Sequence, residues 1–480
     1  MSILPRAATA SCTLLALTFT LDPALPRHSG AAAQEPADLP RVGPGVDARV
    51  VVAWNELAHA IAYEEDQFLT FKGQRALAMM NLAMHDALNT IAPVYERYAY
   101  DGAVDGGVGA AFASEAGRAT EAASASEAES AGEAMSAGGA TGLADYAEGA
   151  AARAAYEVLR SQYPSARARL DSLWSALHGA PAPAQQAASI ALGTAAAEAV
   201  LRSRDGDGWD GAGSYQFDAG PGRYQTTPDW DGFVLQPGFR AARPFAIESV
   251  VAFRPPPPPA VTDERYARDY DEVKAYGAAG SPVRTADQTA YAIWWMEFAE
   301  GSVNRLARRL VMDQDVGLWE AARLFAHMHM ALFDGYIVNW DSKYEYDHWR
   351  PYTAIRAAAD DGNNATSPVP DWQSLRPAPP FPEYASAHAT GCAAAFTVLA
   401  SALDEAPFTM TTMTAPEGMP ERSFPDFAAA ARECADSRVQ LGWHFRYSTD
   451  AGLDTGERVA THVLKTKLRP VASAPHDAAE

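Results

Sequence analysis

The sequence predicts an all-α protein, two fused helical bundles joined by long irregular connections. Three observations carry this expectation. Apolar residues recur at three- and four-residue spacing through nearly every long segment, the period of an amphipathic helix. Strict apolar–polar alternation, the mark of a strand, is nearly absent. A chain of 480 residues with 48% hydrophobic composition is also long enough to bury a large core.

Residues 1–33 read as a secretory signal peptide, with Arg6, an apolar run from Ala7 to Leu21, and Ala31-Ala32-Ala33 before Gln34. No later stretch is long and apolar enough to span a bilayer. The expectation is an exported protein, periplasmic or secreted, without membrane insertion. The formal charge is −22, and residues 1–33 carry Arg6, Arg27 and Asp22, so the remainder is one unit more acidic still. Such a chain is not built to bind nucleic acid or an anionic membrane through a general field. Any anion it binds must be held by a local cationic pocket.

The N-terminal bundle is assigned to 34–260. Its first helices are VVAWNELAHAIAYEE and RALAMMNLAMHDALNTI, closed by Pro93, with His59 and His85 as core histidines. Residues 101–143 turn to Gly, Ala, Ser and Glu and read as a flexible surface insertion. Helices resume with YAEGAAARAAYEVLRSQYP, a segment capped by Ser165, and PAQQAASIALGTAAAEAVLRSR. From Asp205 to Ala260 the composition is Gly, Pro, Asp and Trp, which predicts an irregular wrap. Within it, DGDGWDGAG lacks the terminal Glu of an EF-hand and reads as a Gly-Asp turn.

The C-terminal bundle, 261–480, holds three further helical patterns and three clusters of chemically active residues. His327 and His329 are two apart, point to different helix faces, and belong to packing. In WDSKYEYDHWRP, Lys343 and Arg350 are seven residues apart, about two helical turns, so both leave one face of a helix that Pro351 ends. Alone, such a pair ordinarily marks a solvated face. In PPFPEYASAHATGCAAAF, the prolines stop at Pro382 and a helix can begin near Ser386. Ser386, Ala387 and His388 then stand at its free amide end, where backbone N–H groups, the helix dipole and a hydroxyl suit an anion. In SRVQLGWHFRYSTDAG, Arg438 and His444 are six apart and reach one ligand only through the length of arginine or a helix loosened near Gly442. Beyond the leader stand Cys392 and Cys434, for which a disulfide and two buried thiols both remain open.

Three cations, a hydroxyl and two imidazoles suit a trianionic tetrahedral oxyanion. In order, K-x6-RP, S-A-H and SR-x5-H resemble the vanadium-dependent haloperoxidases and the type 2 phosphatidic acid phosphatases that share their fold. NWDSKYEYDHWRP, PPFPEYASAHA and SRVQLGWHFR look most like the chloroperoxidase branch, and the likeness is strongest from about Thr285 to Gly456. The family's Pro-Ser-Gly-His reads Ala385-Ser386-Ala387-His388 here, so Ala387 must offer its amide with a negative φ. The resemblance implies vanadate as cofactor, with phosphate as a competing anion. It assigns Lys343, Arg350, Ser386, Ala387 and Arg438 to the oxyanion, His444 to vanadium, and His388 to proton transfer. Lys343 would also polarise bound peroxide. Trp340 and Phe381, with Trp349 nearby, would line the halide environment. Hydrogen peroxide, halide and an organic acceptor are the implied small-molecule partners; the halide and the oligomeric state stay open. A carboxylate is expected to hold Arg438; Glu297 and Glu300 are candidates and Asp450 could steady His444, although a solvated surface acid is the commoner reading of all three. Two other readings of the same residues are an exported acid phosphatase with His444 as nucleophile, and a non-catalytic oxyanion binder.

Overall fold

A computed structural model describes residues 46–66, 71–102, 133–177 and 183–471. The leader assigned to 1–33 lies outside the described residues. The α-helices are α1 (Arg49–Asp66), α2 (Lys72–Ile91), α3 (Glu133–Gln162), α4 (Arg167–Leu177) and α5 (Pro183–Ser203), then α6 (Val250–Phe253), a single turn. They continue with α7 (Glu264–Tyr276), α8 (Ala286–Trp294), α9 (Ala299–Asp313) and α10 (Leu318–Tyr346). Last come α11 (Pro351–Arg356), α12 (Ala387–Ala400), α13 (Phe427–Gln440) and α14 (Arg446–Thr466). The class is all-α. Among the described residues a small antiparallel hairpin, β1 (Phe408–Thr411) with β2 (Glu421–Phe424), is the exception, pairing Phe408 with Phe424. Four residues are too few for alternation to stand out in the sequence.

Three local expectations change. The insertion read over 101–143 mostly falls outside the described residues, but 133–143 form the first turns of α3. Ala, Glu and Met are strong helix formers, and a packed helix downstream extends through them. Ser165 does not cap α4; it lies in the 3₁₀ turn Pro164–Ala166 and its hydroxyl donates to Glu65 at 2.6 Å. Lys343 and Arg350 do not share a helix, because Asp347 takes the left-handed conformation (φ 51) and closes α10. Arg350 is then extended (φ −76, ψ 153) as the N-cap of α11. Pro351 fills the first position of that helix, where its missing N–H costs nothing.

Helix α10 is the axis of the molecule. From Leu318 to Lys343 nearly every side chain is buried, so it is covered on all sides and not only along one stripe. It packs on α2 from the first group of helices and on α12 and α14 from the second, and one apolar cluster runs through both groups. The approach of α14 to α12 is closer than ordinary side chains allow. A Cβ on Gly456 would lie 2.2 Å from the Thr390 carbonyl oxygen and one on Gly452 2.6 Å from that of Ser386. Glycine at both positions therefore fixes where α12 starts. Residues 205–260 carry only short helical turns and lie against the site: Leu235 N donates to Pro380 O at 2.9 Å, and Phe239 packs on Trp340 with ring centroids 6.1 Å apart. The histidines placed in the core are there, His85 bonded to Glu96 O at 3.0 Å, His327 to Lys467 O at 2.9 Å and His329 to Asn304 at 3.1 Å.

Candidate active site

The three clusters converge. Lys343 comes from the end of α10, Arg350 from the α10–α11 junction, Ser386, Ala387 and His388 from the start of α12, Arg438 from α13, and His444 from the α13–α14 turn. Lys343, Arg350, Ser386 and Arg438 are fully buried and His444 is nearly so. Burial comes first in lowering the basicity of His444, followed by the charges of Arg350, Lys343 and Arg438 and then by His388. Arg350 Nη1 lies 3.2 Å from His444 Nε2, Arg438 Cζ stands 5.2 Å from the Trp443 ring, and Phe381 packs against both Lys343 and Arg350, so these residues share one space.

Each arginine is held by part of its fork. Arg350 donates through Nε to Phe381 O at 3.0 Å and through Nη1 to Trp443 O at 2.9 Å, while its Nη2 is buried without a partner. Arg438 donates to Ser437 Oγ at 2.9 Å and to Trp295 O at 2.7 Å, while its Nη1 is buried without a partner. Among the described residues no carboxylate holds Arg438, contrary to expectation. Glu297 is bound to Arg305 and Glu300 to Gln74, and a backbone carbonyl supplied by the turn after α8 does the work. His388 stacks on Phe298 at 5.1 Å and bonds the Met296 backbone, and its Nε2 is buried and unpartnered among the described residues. Lys343 differs, because its ammonium donates to the carbonyls of Pro382 (3.1 Å), Glu383 (2.9 Å) and Ala385 (2.6 Å). It ties the segment before α12 to α10 and lends charge, and a bond to a bound oxygen requires release of one carbonyl.

Burial lowers the basicity of every cation here. Arg438 falls to about 9 and Arg350 to about 10, and Lys343 lies well below its ordinary value through burial and then the charge of Arg350. Glu383, also fully buried, is pushed up to about 7 by the same desolvation. It is the carboxylate that bonds His444, at 2.8 Å from Nδ1. Asp450, a candidate for that role whose commoner reading is a solvated acid, pairs with Arg432 at 3.2 Å on the half-exposed side of α14. Glu383 lies five residues before His388, and its only sequence signal is a carboxylate amid apolar and proline residues that end up buried.

Ser386 caps α12, its Oγ 3.5 Å from Ala389 N, and Ala387 is the first helical residue. Ala387 is not among the positive-φ residues, so the condition set by the missing glycine is met. Gly442, at φ +77, lets the chain leave α13 and bring His444 back; a Cβ there would stand 2.7 Å from Gly277 O. The ring of Phe381 lies 5.0 Å from Lys343 Nζ, 4.9 Å from Arg350 Cζ and 4.9 Å from the Trp340 ring. Trp349 is not part of this wall; it packs with Tyr266 and Phe445 in a second apolar cluster. Cys392 and Cys434 form a disulfide that joins α12 to α13.

Residues 323–472 match the sequence profile of the VCPO second helical-bundle domain. A solved structure titled as the first bacterial vanadium-dependent iodoperoxidase superposes with a TM-score of 0.67 at 22% identity, over 89% of this chain and 99% of that one. The chain has the vanadium-haloperoxidase fold. Among further vanadium-haloperoxidase structures, a bacterial vanadium-dependent chloroperoxidase in its holo form superposes with a TM-score of 0.58 at 18% identity, covering 81% and 90% of the two chains. In sequence, the vanadium chloroperoxidase of Curvularia inaequalis is 28% identical over 144 residues. That alignment covers 25% of this chain and spans 23% of the length of that relative. No helix among the described residues is long and apolar enough to cross a membrane.

Proposed function

We propose that this protein is a vanadate-dependent haloperoxidase, using hydrogen peroxide to oxidise halide to hypohalous acid, which then halogenates organic acceptors. One observation carries the reading: Arg350 Nη2, Arg438 Nη1 and His388 Nε2 are all buried polar atoms without a partner. Such atoms cost free energy unless something accepts from them. The two guanidinium charges, beside the amide end of α12, fit a compact oxyanion bearing several negative oxygens.

Bound vanadate would supply Lewis-acid activation of peroxide with no change in its oxidation state. Arg350 and Arg438 neutralise its oxygens, with Ser386 and the Ala387 amide at the helix end. Lys343 adds charge from the loop side. His444 presents Nε2 to the central atom. His388, its basicity lowered first by burial and then by the charge of Arg438, would take up and return a proton at Nε2. Trp340 offers a buried, unpartnered indole N–H beside Phe381, which suits a halide. The signal-peptide reading of residues 1–33 makes this an exported activity.

Purified apo-protein, hydrogen peroxide and a phenolic dye, with iodide, bromide or chloride in turn, test the proposal. Halogenation is expected only after orthovanadate is added, and His444→Ala is expected to abolish it. Hydrolysis of a phosphomonoester, inhibited by vanadate and with no halogenation, would instead establish the phosphatase reading.

A further inference from the structure

His444 and Glu383 are 61 residues apart in the chain, and no sequence spacing links them. We infer that Glu383 is the positioning residue of His444, holding its ring in the tautomer and direction that let Nε2 bond the central atom of the oxyanion. The inference rests on the function proposed above.

The tautomer follows from its two neighbours. Arg350 Nη1 lies 3.2 Å from His444 Nε2, and a guanidinium has only donors. Nε2 must therefore present its lone pair, so the ring proton is on Nδ1. That proton is donated to Glu383 Oε1 at 2.8 Å. The acceptor is itself fixed, because Oε1 also receives the Phe445 backbone N–H at 3.0 Å, and Glu383 N donates to His348 O at 2.8 Å. Ser448 Oγ stands 3.3 Å from the same Nδ1. His444, Glu383 and Ser448 are all buried. A carboxylate on the far nitrogen also makes the lone pair a stronger donor.

The competing role for Glu383 is that of counter-ion to Lys343 and Arg350, whose charge it supports. The two roles predict opposite signs. Removing a mere counter-ion beside an anion site tightens anion binding; removing a positioning residue weakens binding for any anion whose central atom takes a nitrogen ligand. Sulfate stays four-coordinate, so it feels only the charge.

The test is calorimetric titration of the full chain with orthovanadate and, separately, with sulfate. Glu383→Gln is expected to weaken vanadate by about 10- to 100-fold and to leave sulfate unchanged or tighter. Adding Ser448→Asp, which puts a carboxylate within reach of Nδ1, is expected to restore vanadate binding. Nitrogen-15 shifts of His444 in the anion-free protein are expected to show a protonated Nδ1. Equal or tighter vanadate binding by Glu383→Gln overturns the inference, as does equal loss of both anions. If the glutamine variant fails to fold, Glu383→Asp gives the same comparison with a shortened carboxylate. Should His444→Ala keep the wild-type preference for vanadate over sulfate, the proposed function itself fails. If that preference is lost in His444→Ala but kept in Glu383→Gln, only the role of Glu383 is wrong.

Discussion

The side chains of the site are held mainly by main-chain atoms. Arg350 and Arg438 each give part of their forks to carbonyls and keep one donor unpartnered, so the free donor is aimed without further loss of side-chain entropy. Buried residues elsewhere follow the same rule of exchanging solvent for a fixed partner, and this has a pH signature. His85 is fully buried and its pKa is lowered from 6.5 to about 4, mainly by desolvation. The unfolded chain takes up the proton first, so stability present above pH 6.5 is lost as pH falls toward 4. At pH 5 the loss is about 2 kcal/mol. Urea unfolding of His85→Gln should therefore show a fall in unfolding free energy between pH 7 and pH 5 that is about 2 kcal/mol smaller than in the wild type. Equal falls would mean that His85 is not held neutral.

At the level of elements, α12 decides the site, since Ser386, Ala387 and His388 open it. Two glycines on α14 let the helices touch, and the Cys392–Cys434 disulfide ties α12 to α13. Cys392 lies one turn beyond His388 and Cys434 one turn before Arg438, so the bond braces both helices next to their functional ends. It closes a loop with a sequence separation of 42. A loop of this size corresponds to about 4 kcal/mol of denatured-state entropy. Replacing both cysteines with alanine is expected to lower the unfolding free energy by about that amount, measured with guanidinium, and no change would show that helix packing alone sets the spacing.

For the whole molecule, charge works against the site. A net charge of −22 repels the anions that the cluster of Lys343, Arg350 and Arg438 attracts. Screening acts over about 10 Å at 0.1 M salt, so it weakens the distant repulsion more than the buried local attraction. The association rate of orthovanadate, followed by stopped flow in increasing sodium nitrate, should therefore rise with ionic strength. A falling rate would show that the local cations dominate even at long range.

Periodicity alone determined the helical class, because apolar spacing reports which face each segment buries. The ordered cations, serine and histidines pointed to a multiply charged oxyanion as the proposed ligand, because few anions need so many donors. Only the tertiary structure decided how they meet. Lys343 and Arg350 converge across a chain reversal at Asp347 and not along one helix. Arg438 rests on a carbonyl from the turn after α8, which no spacing could reveal. Glu383 and not Asp450 faces His444, because hydrogen-bond partners of buried groups are chosen by proximity in space. The pairing of Cys392 with Cys434 likewise needed two helices set side by side. Sequence patterns record what each residue is and which way its own element turns; contacts between distant elements depend on packing, which has no local period.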